Sequence, residues 1–424
     1  MPDRLPKVLL AAPGSGDAFY CGNCARDSAQ AAALLRAGCD ACVMPLYLPK
    51  CGAGAQESPL FFPAPSAYAA HRFFGGRTVP RALEKILDSA AAVKMASAMS
   101  AAGSASGMAD MTISMIEGSG GHFERQAAKI ARWVDACGRP DVAHISSSLM
   151  LGLAKFFKTR LGIPTVCSVQ DEESWIDAMP EGARAAAWRA MERNFEFADL
   201  IVSPSDFYAQ KLRARMPETA GKIRVAYPCA PQEATLCALP ETPAVGFLFR
   251  ACPESGLDIL AGAFSILKAS GKFGSLRLKI AGGSAAADFS FVRKIRRMLR
   301  PVEGSVDWAG PFLPGSVQEF FRSVSAVCVP VRFEEAAGMY LCEAFARGRP
   351  AAAPDTGSFP EIGGGACEFC RGNTPEALAS AIGRLFSDEG LFKRRAAEAV
   401  RLAKTRYSPE AHAEALISVY REIA

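Results

Sequence analysis

Phe333-Glu334-Glu335-Ala336-Ala337-Gly338-Met339-Tyr340-Leu341-Cys342-Glu343-Ala344-Phe345-Ala346-Arg347-Gly348-Arg349-Pro350 lies between two apolar runs, Ala326 to Val331 and Pro350 to Ala353. The runs are short and uninterrupted, as strands buried on both faces are. Between them a short acidic loop leads to a helical pattern from about Gly338 to Arg347. A strand, a loop carrying glycine, a helix and a second strand form one unit of a parallel α/β sheet. The loop also carries chemistry. A glycine at a helix start leaves backbone N–H groups free beside the positive end of the helix dipole, where a diphosphate is favoured. Glu335 stands before the helix and Glu343 about a turn and a half inside it. Ionised carboxylates accept several hydrogen bonds at once, which suits sugar and ribose hydroxyls.

The same rhythm runs outward from this stretch in both directions. After it come helical patterns, the last from about Pro409 to Ile423. Before it lie apolar runs at Ala244 to Phe249, Leu276 to Ala281 and Val306 to Gly310, with a helix from Leu257 to Ala269. The segment Pro228 to Pro243, rich in Pro, Ala and Thr, reads as a linker. Upstream, strands are expected at Lys7 to Ala12, Cys42 to Leu46, Asp141 to Ile145, Pro164 to Val169 and Asp199 to Ser203. A helix from Arg26 to Ala37 stops at Gly38. Residues from about Pro49 to Gly121 break the alternation and read as an insertion, which either shapes an acceptor pocket or only covers the sheet.

At 424 residues the chain exceeds one ordinary core, so two domains are expected. Half the residues are apolar and the formal charge is only +5, which excludes disorder and a nucleic-acid binder's dense basic patch. After Met1-Pro2-Asp3-Arg4 the run Val8 to Ala12 is too short for a secretory signal, and no stretch is apolar enough to span a bilayer. A cytoplasmic setting follows, in which the 14 cysteines are reduced. Cys21-x-x-Cys24 and Cys39-x-x-Cys42 have zinc-like spacing, but a helix separates the pairs; Cys367-x-x-Cys370 has no second pair nearby. Gly14-x-Gly16 lacks the third glycine of a dinucleotide fingerprint, with Phe19 in its place, and strand two ends without an acid for a ribose.

Glu335 and Glu343 with Gly338 between them, then Glu-Ala-x-Ala-x-Gly-x-Pro and Asp355-Thr356-Gly357-Ser358-Phe359-Pro360-Glu361-Ile362, form a combination that resembles the family 4 (group 1), retaining, GT-B glycosyltransferases. Gly246-Phe247-Leu248-Phe249-Arg250 with Glu254-Ser255-Gly256, Ala281-Gly282-Gly283, and Ala198 to Ser205 resemble further elements of that family. Pro13-Gly14-Ser15-Gly16 through Phe19-Tyr20-Cys21-Gly22-Asn23-Cys24-Ala25-Arg26-Asp27, with Pro45 to Pro49, resembles one bacterial subgroup.

The resemblance implies two Rossmann-like, doubly wound parallel-sheet domains facing each other across a cleft. Residues 1–235 would be the acceptor side with an insertion at about 50–121, and residues 236–406 would bind a nucleotide-sugar. Residues 407–424 would form a helix packing back on the first domain. Glu335 would face the donor sugar and Glu343 the ribose. Gly338 and Met339 amides would hold the diphosphate, assisted by Arg250, with Ser255 alongside. Gly14 and Gly16 would let the first turn approach donor phosphates or acceptor. Asp171 joins Glu335 and His144 as the third catalytic candidate. His144 ends a strand at the sheet edge where such folds bind ligands, and reads as either a catalytic or a satisfied structural histidine. Asp355 and Glu361 would support the site or merely cap a helix and carry surface charge.

No cofactor and no metal is implied. The expected partners are the donor and a glycan, lipid-linked or small-molecule acceptor, with peripheral membrane contact compatible. The sequence departs from the family in three places. Ser255 stands where a lysine is usual, Gln170 replaces a histidine after the strand Thr165 to Val169, and Cys39 replaces another after strand two. The first removes a cation that would stabilise the leaving diphosphate. The alternatives are a degenerate GT-B protein acting as a partner subunit, and a GT-B nucleotide-sugar epimerase.

Overall fold

The computed structural model describes residues 4–14, 22–49, 56–99, 105–230, 236–284, 286–309 and 316–424. Its first sheet holds β1 (Lys7–Ala12), β2 (Asp40–Pro45), β3 (Gln56–Glu57), β4 (Val142–Ile145), β5 (Thr165–Ser168), β6 (Leu200–Ser203) and β7 (Ile223–Val225). They lie in the order β3-β2-β1-β4-β5-β6-β7, and every pairing is parallel. The second sheet holds β8 (Ala244–Leu248), β9 (Arg277–Ala281), β10 (Val306–Trp308), β11 (Ala326–Cys328), β12 (Ala351–Pro354) and β13 (Cys367–Cys370). Its order is β10-β9-β8-β11-β12-β13, again all parallel. In both sheets the chain starts in the middle, winds to one edge, then crosses back and winds to the other. That is the doubly wound arrangement, and it leaves a switch point beside the first strand of each sheet.

The sequence dictates this locally. β4, β5, β6 and β12 are buried at every residue, as parallel strands covered on both faces must be. The helix Leu257–Ala269 buries Leu257, Leu260, Ala261, Phe264 and Leu267, the i, i+3, i+4 stripe of a core-facing helix.

Several expected boundaries shift. The run Ala326 to Val331 pairs only as far as Cys328, and Pro330, which has no N–H to offer a ladder, stands just beyond. The pair Cys367 and Cys370 is not a ligand pair in a loop. It brackets β13, both thiols are buried, and burial pushes the Cys370 pKa up to about 11.

The chain divides into two units. One comprises residues 4–14, Asp27–Tyr227 and Glu410–Ala424; the other comprises residues 22–26 and Pro228–Pro409. The segment read as a linker is fastened where it is described. Cys229 and Ala230 are buried, and the fully buried Arg349 guanidinium donates to the carbonyls of Cys237, Ala238 and Phe321.

The helix α1 (Gly22–Arg36) enters the first unit at Asp27; the inserted helices α2 (Ala64–Phe74), α3 (Arg81–Leu87), α4 (Ala90–Met99) and α5 (Ala109–Glu117) follow, and then α6 (Gly121–Cys137). The final helix, Pro409–Arg421, also serves the first unit. His412 Nδ1 pairs with the Tyr227 carbonyl at 2.6 Å, and Arg224 meets Glu422 at 2.7 Å.

Candidate active site

In the second unit, β8 and β11 are neighbours, so the loops after them leave the sheet at the same edge. The loop after β11 reaches Gly338, whose φ of +58° is the left-handed conformation that glycine adopts without cost. The helix Met339–Phe345 starts there, and every one of its side chains is buried, Glu343 included. Phe359 packs over Gly338 and meets Tyr340 edge-on at 6.1 Å. Gly357, at φ +61°, lies against the backbone of Glu334 and Glu335, and the Ser358 amide donates to the Glu335 carbonyl at 2.9 Å. The Asp355-to-Glu361 motif therefore closes on the Glu335 loop, with the Asp355 side chain itself exposed.

Glu335 is half-buried, and Oε1 accepts from the Ala337 amide at 3.4 Å. Burial raises its pKa, opposed by hydrogen bonds from the Gly338, Ala337 and Ala336 amides. The carboxylate thus rests on backbone donors of its own loop. Glu343 is 2% exposed, and its carbonyl accepts from Arg347 Nη1 at 3.1 Å.

Arg250 follows β8, as expected, but a carboxylate holds it. Nε and Nη2 donate to Asp288 at 2.8 and 3.2 Å, a two-pronged pair with Asp288 almost fully buried and Arg250 30% exposed. Sequence reasoning missed Asp288, which lies 38 positions away in a loop with no motif of its own.

Ser255 requires a correction. It is fully buried, and its hydroxyl donates to the Cys252 carbonyl at 2.7 Å. Behind it Gly256, at φ +68°, packs so close to the Pro330 carbonyl that a Cβ would collide with it. Ser255 therefore completes a tight turn and presents nothing to a ligand.

The first unit gathers a different set at the C-terminal edge of β1, β4 and β5. Gly14, at φ +81°, lies against the Leu48 carbonyl where no Cβ fits. Gly16 lies outside the described residues, as does Cys21. Asp27 of α1 accepts from Ser146 Oγ at 3.0 Å and from Gln170 Nε2 at 3.4 Å. Glu172 accepts from Ser147 Oγ, the Ser148 amide and the Gln170 amide at 2.7–2.9 Å. These bonds tie the loops after β4 and β5 together.

Asp171 sits in that corner at φ +83°, where no other non-glycine residue among those described has a positive φ. Left-handed backbone at a residue with a side chain costs on the order of 1–3 kcal/mol and persists where surrounding bonds enforce it.

Of the two readings of His144, the structure shows the satisfied histidine. It is fully enclosed, with Nδ1 near Tyr420 Oη (2.6 Å) and Gln30 Nε2 (3.1 Å), and Nε2 near Ser168 Oγ (2.7 Å). A ring bonded at both nitrogens inside the core cannot reach a substrate. Its work is to fasten the final helix, and the reason was hidden in a residue 276 positions away.

Among the described residues no group of three or more His, Cys, Asp or Glu side chains is placed to hold a metal ion. Cys39 and Cys42 are buried thiols whose pKa burial raises, that of Cys42 to about 11. Such thiols resist the ionisation that metal binding needs.

Arg250, Glu335, Gly338, Met339 and Glu343 thus lie in the second unit, while Gly14 and Asp171 belong to the first. Sequence comparison agrees with that division. Residues 28–229 match the family described as glycosyl transferase 4-like domain, and residues 242–388 match glycosyl transferases group 1. The chain belongs to the glycosyltransferases. No curated protein matches it.

Among solved structures, this glycosyltransferase is similar to sucrose-phosphate synthase from Thermosynechococcus elongatus. The TM-score is 0.70 at 16% identity, covering 99% of each chain. The catalytic domain of starch synthase IV from Arabidopsis thaliana gives 0.67 at 12% identity, covering 99% of each. Anabaena Alr3699/HepE in complex with UDP and glucose gives 0.64 at 15%, covering 99% of this chain and 98% of that one. At such identities the likeness is one of fold, and the fold is GT-B.

Proposed function

We propose that this glycosyltransferase moves a hexose-type sugar from a nucleotide-diphosphate sugar to an acceptor hydroxyl, with retention and without a metal. The observation that carries the reading is the Glu335-to-Glu343 turn of the second unit. A half-buried carboxylate and a left-handed glycine lead into a helix with a second, buried carboxylate.

Met339 would supply its amide to the diphosphate, the Gly338 amide would pass to it from the Glu335 carboxylate, and Glu343 would accept from a ribose hydroxyl. Glu335, which gains proton affinity from burial, would accept from a sugar hydroxyl. That bond strengthens as the sugar gains oxocarbenium character. Arg250 would turn part of its charge from Asp288 to the departing diphosphate. In the first unit the strained Asp171 would receive the acceptor hydroxyl. The Anabaena relative was solved with UDP and glucose, which supports a nucleotide-sugar donor of this class.

The test is a panel of nucleotide-sugars with product detection by mass spectrometry, with and without acceptor, in EDTA. Transfer that persists in EDTA, giving a product with the donor's anomeric configuration, supports the reading. Loss of turnover restored only by manganese or magnesium contradicts metal independence. Nucleotide binding without transfer from any donor would favour the partner-subunit alternative.

A further inference from the structure

The inserted helices carry an outer face that neither sheet nor site explains. Tyr68, Phe73, Leu83, Ile86 and Met95 are exposed, Phe73 to 72%, Ile86 to 66% and Met95 to 63%. All five fall in α2, α3 and α4, helices that pack on one another. Leu83 and Ile86, three apart, share one stripe of α3. Single exposed apolar residues are ordinary, but five within three short neighbouring helices are not.

The charges of the same segment are sorted. Arg72, Arg77, Arg81, Lys85 and Lys94 are exposed. Its two carboxylates are withdrawn. Glu84 is buried, accepting from Arg125 at 2.6 Å, Lys129 at 3.0 Å and Gln126 at 3.3 Å of α6, so it clamps α3 to the body of the unit. Asp88 is half-buried. The outer face is therefore apolar and cationic, with no exposed carboxylate between residues 64 and 96.

We infer that the face formed by α2, α3 and α4 docks on an anionic lipid bilayer. Aromatic and aliphatic side chains would enter the boundary between headgroups and acyl chains, while arginine and lysine meet lipid phosphates. A protein partner with an acidic surface would satisfy the cations but leave Phe73, Ile86 and Met95 in search of an apolar counterpart; a bilayer supplies both at once. No described helix is long and apolar enough to cross a membrane, so the contact is peripheral. The inference is independent of the proposed transfer, because binding is read without donor or acceptor.

Flotation of the full chain with phosphatidylcholine vesicles, and with vesicles carrying about a third phosphatidylglycerol, tests it. The chain floats with the anionic vesicles and not with the neutral ones, and salt weakens the binding. Arg72→Gln, Arg81→Gln and Lys85→Gln combined lower the affinity on the order of a hundred-fold, at about one decade for every 1.4 kcal/mol. Phe73→Ser with Ile86→Ser and Met95→Ser lowers it at least about ten-fold. Phe289→Ser, at a residue of the second unit that is 57% exposed, leaves it unchanged, and circular dichroism confirms that each variant is folded. Absence of flotation with anionic vesicles overturns the inference, as does flotation that both combined variants retain. A concentration-dependent dimer in sedimentation, abolished by the serine variant, would make the face a contact between copies of this chain and overturn it too.

Discussion

The pairing of Arg250 with Asp288 makes Asp288→Asn an informative substitution. Wild-type Arg250 gives two donors to one carboxylate that is nearly buried, while 30% of the arginine side chain remains open. If Arg250 serves a diphosphate, donor binding must first loosen that pair. Asparagine preserves shape and one acceptor but removes the charge.

Losing a charge-assisted hydrogen bond at a partly open pair costs about 2 kcal/mol of stability, below the 3–5 of a fully buried pair because solvent still reaches the arginine. The same quantity, no longer opposing the nucleotide, tightens binding by roughly ten- to thirty-fold. Urea unfolding and calorimetric titration with nucleoside diphosphate measure the two sides separately. The stability lost in the free variant should be restored by saturating nucleotide. If stability falls while nucleotide affinity is unchanged or weaker, Arg250 is only a strut for the loop after β9, and its assignment to the leaving group is refuted.

Burial fixes two further outcomes. His122 is 2% exposed with neither ring nitrogen hydrogen-bonded; burial first, and His71 beside it, lower its pKa to about 4, with Glu84, Lys129 and Arg125 the other charges that bear on the ring. A base with a depressed folded pKa adds stability above about pH 6.5 and loses it as pH falls toward 4, about 3 kcal/mol at most. His122→Phe should therefore flatten the fall in urea midpoint between pH 7 and 4.5, and an unaltered slope would count against it. Ser255→Lys, which sequence alone presents as a repair, should destabilise by roughly 2–4 kcal/mol, because a full-length ammonium must enter a closed turn. Unimpaired stability with ten-fold tighter nucleotide binding would show that the lysine escapes to the site.

What the sequence made legible was local. The helix Leu257–Ala269 has the boundaries its apolar stripe and flanking residues require, and the Glu335 carboxylate meets the Ala337 amide of its own loop, while Gly357 and Ser358 close that loop from the next motif along. β3 and β7, of two and three residues, carry no apolar run of their own, and the spacing of Cys367 and Cys370 reads as a metal motif rather than as the ends of β13. Burial that depends on distant chain is not legible in a local stretch of sequence. Tyr420 closes over His144, and Asp288 captures Arg250. The Pro330 carbonyl, 75 positions after Ser255, shuts its turn. Residue types and spacing announce a carboxylate and a glycine at a helix start, but they do not announce what the rest of the fold lays against each side chain.

The central claim, that the Glu335-to-Glu343 turn binds a nucleotide-sugar and acts on it, is tested most directly by single-turnover transfer measured beside nucleotide affinity for Glu343→Ala and Glu335→Ala. Glu343→Ala should weaken nucleotide binding at least about ten-fold with a smaller change in the chemical step, because a ribose contact is made in ground and transition states alike. Glu335→Ala should leave nucleotide binding near wild type and slow the chemical step by about a hundred-fold or more, because its bond to the sugar tightens as charge develops. Equal, small effects of both substitutions on both quantities would contradict the account.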